Sequence, residues 1–334
     1  MNQVVQYVVT IATIGVIYSV LALGLNVRYG WTGNLDLSFY AFAALGAYIE
    51  AVLSLPPENL PPPDAYILGL SLPWPVAVVG AMVICGVLSL LLGAVALRSL
   101  RGDYFAILTI VTTLIVYATI SQLTPLFNGY TGLFAIPQPL DSVFSIDTYP
   151  LAFLVIVTLV LAATYAVVQL LYKSPFGRAV RSTREDDVAA AAFGRNVFRL
   201  KLKAFVISGM IAGLGGALLG TWLTAWNPTA WSPIEVLLLY AAVFVGGTGN
   251  SKGAIFGAFF IFVAIQEVTR FIPTFSIDQT SIASLRNVII GLLIAAVLWF
   301  RPQGVLPEQR ARFAKRFARP GTAPAPPEDA RVSV

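Results

Sequence analysis

MNQVVQYVVTIATIGVIYSVLALGLNV, Met1 to Val27, runs without a single charged side chain. About 20 apolar residues suffice for an α-helix to cross the hydrocarbon of a bilayer, so this stretch reads as a membrane span. No Lys or Arg precedes the apolar run and no small-residue cleavage site closes it. It is therefore expected to be a retained first span and not a removed leader.

The rest of the chain repeats this pattern. Its 334 residues are 57% hydrophobic and 11% charged, contain no histidine, and have a mean hydropathy of +0.81. A soluble core could not hide that much apolar surface, which places the chain in the membrane class. Cys85 is the one cysteine, so no intrachain disulfide can form. Without histidine there is no Ser-His-Asp triad and no Cys-His pair, and a zinc constellation lacks its usual ligands. Apolar segments long enough to cross lie near 5–27, 36–54, 73–97, 104–125, 149–172, 204–226, 234–247, 254–272 and 284–300. The second and seventh are short. The expectation is an all-α, polytopic transmembrane bundle of about nine spans, within a range of eight to ten, in one domain over 1–300 and followed by a tail over 301–334.

Charge orients this bundle, because Lys and Arg of short loops are retained on the cytoplasmic side. With nine spans and the N-terminus outside, 19 of the 21 bases fall on one side: Arg28, Arg98, Arg101, eight between Lys173 and Lys203, Lys252, and seven between Arg301 and Arg331. Arg270 and Arg286 lie at outer span ends. The outer loops carry Glu58, Asp64, Asp141, Asp147 and Asp278 and no base. The C-terminus and the 174–203 loop are accordingly expected in the cytoplasm.

That loop is a charged island, with ten charged residues between Arg178 and Lys203. Ser182 precedes Glu185 by three positions and Thr183 precedes Asp186 by three, the spacing of a reciprocal N-terminal capping box. A helix is expected to start there. Glu185, Asp186 and Asp187 would occupy its first turn, where the helix dipole favours acids, the Ala-rich run through Ala189 and Ala190 would continue it, and Gly194 would supply a left-handed cap. Arg195, Arg199, Lys201 and Lys203 follow, before the next span. A solvated loop obeying the charge rule would show the same bases, but it would not need the capping chemistry. The sharper reading is a rigid knob outside the membrane that docks into a partner.

The segment GRAVRSTREDDVAAAAFG resembles the cytoplasmic coupling segment of ABC-importer permeases, whose general form is Glu-Ala-Ala, three residues, Gly. This chain has Asp187, Ala189-Ala190, three residues and Gly194, with the acid one place early and no hydrophobic-proline ending. LALGLNVRYGWTGNLDLSFYAFAALGAY (21–48), LRGDYFAILTI (100–110), KAFVISGMIAGLGGALLG (203–220), VFVGGTGNSKGAIFGAFF (243–260) and RPQGVLP (301–307) resemble, in order and spacing, permease subunits of the branched-chain amino-acid importers of LivM and LivH type. LRGDYF and the length favour the M type. LDLSFYAF departs from that family's usual Leu-Ser-Leu-Gly-His form, which leaves the substrate open among branched-chain amino acids, urea, short amides and aromatic acids.

The resemblance implies a bacterial or archaeal inner-membrane importer. It implies a second, homologous permease, two cytoplasmic ATPase subunits that use ATP and Mg, and an extracytoplasmic binding protein. It implies coupling to the ATPases through Ser182, Thr183, Glu185, Asp186, Asp187, Ala189, Ala190, Gly194 and Arg195. It implies no cofactor held by this chain and no nucleic-acid partner.

GGTGNSKG (246–253) is not a phosphate loop, because Ser251-Lys252-Gly253 inverts the required Gly-Lys-Ser/Thr order. It echoes GWTGN (30–34), each copy coming just before a span. Such matched interruptions mark transport paths in other carriers, which makes Thr32, Gly33, Asn34, Thr248, Gly249 and Asn250 candidates for lining one. Gly209, Gly213, Gly216, Gly220, Gly253 and Gly257 recur four apart and read as close helix-packing positions. Glu267 and Arg270, three apart, are expected to pair on one helix face. The tail RARFAKRFAR (310–319) has a basic, Phe-bearing pattern suited to anionic lipid, and the Pro-rich end beyond it is expected not to fold. An ion-coupled secondary transporter is the rival of another class. It would need an ionisable site deep in the membrane, whereas Asp36, Glu50, Glu235 and Glu267 all fall near expected span ends.

Overall fold

The computed structural model describes residues 3–56, 69–99, 103–140, 148–228, 235–265 and 303–308, with isolated positions at 144, 231, 288, 291–292, 295–296 and 299–300. The chain is an all-α polytopic bundle. Its helices are α1 (Gln3–Leu25, extended by a π turn, Asn26–Gly30), α2 (Phe39–Ser54), α3 (Trp74–Ser99), α4 (Asp103–Gln122) and α5 (Thr124–Phe127). Then come α6 (Tyr149–Lys173), α7 (Pro175–Glu185), α8 (Asp187–Ala192), α9 (Val197–Leu223), α10 (Glu235–Gly246) and α11 (Ser251–Phe259, extended by a π turn, Phe260–Ile265). Two short strands, β1 (Leu133–Phe134) and β2 (Ala225–Trp226), pair antiparallel at the end of the bundle opposite the basic loops.

Among the described residues, five helices are long and apolar enough to cross a membrane: α1 with its π turn, α3, α4, α6 and α9; α2, α10 and α11 are shorter apolar helices. The polarity of a soluble protein is inverted on their outer faces. Leu91, Val95, Ile107, Ile115, Leu159 and Leu170 are all exposed on α3, α4 and α6, a surface that only lipid or another apolar chain can cover. The sequence expectation needs two adjustments. Span two starts at Phe39, since residues 36–38 are not helical. Span six starts at Val197, because Asn196 Oδ1 accepts a hydrogen bond from Arg199 N at 3.0 Å and caps the helix there; Arg199, Lys201 and Lys203 thus lie on α9 instead of preceding it. Most of the ninth span lies outside the described residues, as do Glu267, Arg270, Arg286, Glu58, Asp64, Asp141, Asp147, Asp278 and the tail from 309.

Helix α9 is the axis of the bundle. Gly209 and Gly213 face α3, where an added Cβ would come within 2.5 Å of Ser89 and 2.7 Å of Cys85. Gly216 and Gly220 face α2; a Cβ at Gly216 would collide with the Ala43 carbonyl, and one at Gly220 would lie 3.0 Å from Ala47. The backbones of three helices therefore approach one another without side chains between them, the packing on which lipid-immersed bundles rely. Gly253 and Gly257 do the same for α11 against Gly246 and Ala242 of α10.

Residues 303–308, which the sequence placed in the tail, belong to the folded body. Val305 N donates to Val245 O at 2.9 Å and Leu306 N to Gly246 O at 3.0 Å, while Asn250 Nδ2 donates to Leu306 O at 3.1 Å.

Candidate coupling site

The charged island folds as two helices joined at Asp186. Ser174 and Pro175 set the first: the residue before a proline is pushed to extended backbone, which ends α6, and proline suits the first helical position. Ser174 is extended (φ −69°, ψ 166°) and its Oγ accepts from Gly177 N at 3.3 Å, capping α7. Ser182 and Thr183 are therefore not N-caps, as the sequence spacing predicted. They lie in the last turns of α7, and their hydroxyls donate back to Ala179 O (2.8 Å) and Val180 O (2.7 Å).

The cap that restarts the helix is Asp186. Its Oδ1 accepts from Val188 N at 2.8 Å and Ala189 N at 3.0 Å, placing a carboxylate against the positive end of α8. Glu185 and Asp187 flank it and are exposed. The other end of α8 closes at Gly194, whose φ of +75° is a left-handed conformation that costs glycine little. Gly194 N donates to Ala191 O at 2.9 Å and Arg195 N to Ala190 O at 3.1 Å.

Helix α7 is anchored and α8 is offered to its surroundings. Val180 and Thr183 are buried, and Val180 packs with Val27, Trp31, Val168 and Ala204, joining α7 to the ends of α1, α6 and α9. On α8 only Ala190 is buried, whereas Val188 is 80% and Phe193 86% exposed. Two bare large apolar side chains beside three acids, at an end rich in bases, form a surface patch of the kind that marks protein contact. In the sequence neither residue stands out from the Ala-rich run between them. Lys201 on α9 holds the patch in register, with Nζ 2.5 Å from Asp187 Oδ2 and 3.2 Å from Asn34 Oδ1.

The two echoed loops meet beneath this knob. Asn26 Oδ1 accepts from Gly249 N at 2.8 Å, and a Cβ on Gly30 would lie 2.7 Å from Gly249 N. Arg184 of α7 reaches both loops. Its Nη1 donates to Gly30 O and its Nη2 lies 2.5 Å from Glu308 Oε2. A Cβ on Gly33 would lie 3.0 Å from the Arg184 side chain, and one on Gly249 would lie 2.7 Å from Glu308. Glu308 also takes Tyr172 OH at 3.3 Å and Arg181 Nη1 at 3.5 Å, and the Arg181 guanidinium stacks 3.7 Å over the Tyr172 ring. Thr32 Oγ1 bonds to Arg28 O, Thr248 is half-buried in its turn, and Asn250 Oδ1 caps α11 through Lys252 N at 3.0 Å. One guanidinium thus ties α7, both echoed loops and the 303–308 segment together.

Behind the loops lies a buried ion pair that sequence reading dispersed. Arg28, counted there as a loop base, is 1% exposed in the π turn and pairs with Asp36, 0% exposed, in the non-helical stretch before α2. Arg28 Nη2 also donates to Ser89 Oγ (2.9 Å) and Phe205 O (3.1 Å), and its guanidinium lies 3.7 Å from the Phe205 ring centre. Asp36 Oδ1 accepts from Ser38 N (2.8 Å) and Ser38 Oγ (2.6 Å). Tyr240 OH donates to Asp36 O at 2.8 Å, and Thr113 Oγ1 to Leu37 O at 3.0 Å. The break between α1 and α2 is therefore a polar joint inside the bundle, which satisfies the rule that non-helical backbone at membrane depth must be buried in protein. Glu50, likewise placed near a span end by sequence, is fully buried on α2 facing Ser54 and Thr221.

Comparison with known proteins agrees with this architecture. Residues 7–298 match the family described as branched-chain amino acid transport system / permease component. The chain is 32% identical over 327 residues to the Escherichia coli high-affinity branched-chain amino acid transport system permease protein LivM, a match covering 91% of this chain and 71% of that one. The Salmonella typhimurium LivM is 31% identical over the same shares. A probable branched-chain amino acid transport permease protein LivH of Methanocaldococcus jannaschii is 28% identical over 299 residues, 87% of this chain and 90% of that one. No solved structure matches.

Proposed function

The chain belongs to the permease-component family of branched-chain amino acid transport systems, and from that premise we propose that it is the membrane subunit of a binding-protein-dependent ABC importer carrying leucine, isoleucine and valine. The observation that carries the reading is α8, a capped helix held by α7, whose Val180 and Thr183 are buried, and presenting Val188 and Phe193 bare. Its partners are a homologous permease, an outer binding protein and two ATPase subunits that hydrolyse ATP with Mg on the cytoplasmic side. This chain contributes no ATPase chemistry.

Closure of the ATPases around α8 pushes on a lever with three attachments. Through Val180 the push reaches α1, α6 and α9; through Lys201 it reaches α9 and Asn34; through Arg184 it reaches the 30–34 and 247–250 loops. Helix α9 then shifts along its glycine seams with α2 and α3, where backbones slide without side chains interlocking. Thr32, Gly33, Asn34, Thr248, Gly249 and Asn250 form the inner mouth that opens and closes as Arg184 moves.

Replacing both Val188 and Phe193 by Asp removes the apolar anchors without touching a buried contact. Truncating interface anchors costs 2 kcal/mol or more, so retention of the ATPase subunits in mild detergent is expected to weaken at least about thirtyfold. The homologous permease should still co-purify. Undiminished ATPase retention would remove the coupling role.

Orientation is tested by thiol labelling. In a Cys85→Ala background, Val188→Cys should react with an impermeant reagent only from the cytoplasmic face and Tyr130→Cys, 58% exposed at the opposite end, only from outside. Reaction of both from one side contradicts the arrangement.

A further inference from the structure

We infer that the groove between α3, α6, α7 and α9 is a specific binding site for one anionic glycerophospholipid of the inner leaflet. The inference takes its depth in the membrane from the proposed orientation. The groove opens to the bundle surface with about 550 Å³ of space and is lined by Leu90 of α3, Leu171 of α6, Phe176 of α7 and Val206 and Ile207 of α9, with the side chains of Arg199 and Lys203 at the end nearer the start of α9.

Three of the island's bases are already ion-paired, whereas among the described residues the two beside the groove are not. Arg181 and Arg184 are committed to Glu308, Lys201 to Asp187 and Asn34, and Arg178 donates to Lys173 O at 2.8 Å. Arg199 and Lys203 have no ion-pair partner among the described residues, and both are exposed. They stand four apart, so they share one face of α9, and Val206 and Ile207 follow on the same face one turn further into the membrane. Over about 12 Å along the helix the face passes from two cations to hydrocarbon. A phospholipid presents the complementary order, phosphate first and acyl chain next. A transmembrane helix of a partner would need to bring two acids to satisfy the same two cations, a costly demand within a bilayer. Free phosphate would leave the apolar walls bare.

The test uses the full chain purified from membranes with its co-purifying subunits. Native mass spectrometry would titrate phosphatidylglycerol against phosphatidylcholine of the same acyl chains. Wild type should retain phosphatidylglycerol preferentially, and Arg199→Gln with Lys203→Gln should lower that affinity about tenfold or more while leaving phosphatidylcholine unchanged. Ile207→Trp, which fills the groove but keeps both charges, should lower retention of either lipid and so separates loss of the site from loss of charge. A photo-crosslinking residue in place of Leu202, which also lines the groove, should capture lipid in native membranes. Equal affinity for the two lipids with no effect of the charge variants, or capture of a protein chain at 202, would overturn the assignment. Undiminished ATPase retention in the Val188 and Phe193 variant would leave this result unchanged, so the two readings fail separately.

Discussion

Asp36→Ala is expected to leave little folded protein. It strands the Arg28 guanidinium at 1% exposure with only Ser89 Oγ, the Phe205 carbonyl and aromatic faces around it. Breaking one side of a buried pair costs about 3–5 kcal/mol, a large share of the 5–15 kcal/mol that holds a typical domain together. The same change frees Ser38, whose N–H and hydroxyl both depend on Asp36 Oδ1. Arg28→Met combined with Asp36→Asn removes both charges and keeps an acceptor for Ser38, so the double variant should be more stable than Asp36→Ala alone. Thermal unfolding in detergent, followed by the monodisperse fraction, reads both. A melting temperature within about 2 °C of wild type for Asp36→Ala would contradict the burial of the pair.

The second large effect concerns the axis of the bundle. A Cβ at Gly216 meets the Ala43 carbonyl, a backbone atom that cannot rotate away, so Gly216→Leu must push α2 and α9 apart along the seam. Overpacking of a close-packed interior costs about 1–3 kcal/mol when side chains can yield; here none can, and the expected result is loss of the monodisperse bundle. Gly194→Ala is the matched control. Nothing lies within 4 Å of its Cβ, so the only cost is the left-handed backbone, about 1–2 kcal/mol, and the bundle should survive. Equal yields of the two variants on size exclusion would show that the seam does not carry the packing.

Features set by local chemistry were legible before the structure was known. Long apolar runs gave the helices, because a bilayer demands length and hydropathy from each segment independently. Small residues four apart gave contact positions, because one helix face is fixed by periodicity. Gly194 was readable as a left-handed cap because glycine adopts positive φ at little cost. The capping box failed because Ser-x-x-Glu is a permissive pattern. Ser174-Pro175, a stronger pair, starts a helix eight residues earlier and carries Ser182 into its last turns. The polar joint was invisible for a different reason. Arg28 and Asp36 read as a loop base and a span-end acid, and their partners Ser89, Phe205 and Tyr240 are 61 to 204 positions away. Glu308 was hidden likewise, since only the folded chain returns it to Arg184. Val188 and Phe193 carried a weak signal, two large apolar residues in a charged, Ala-rich segment, which gains meaning once Val180 is seen to take the buried side.

Work is proposed to enter this chain at α8. The most direct measurement of that coupling is ATP-driven uptake of labelled leucine in proteoliposomes containing all subunits and the binding protein, with the Val188→Asp, Phe193→Asp variant beside wild type. The variant is expected to insert, melt like wild type and pair with the second permease, yet take up leucine at the rate seen without ATP. Wild-type uptake by that variant would contradict entry at α8.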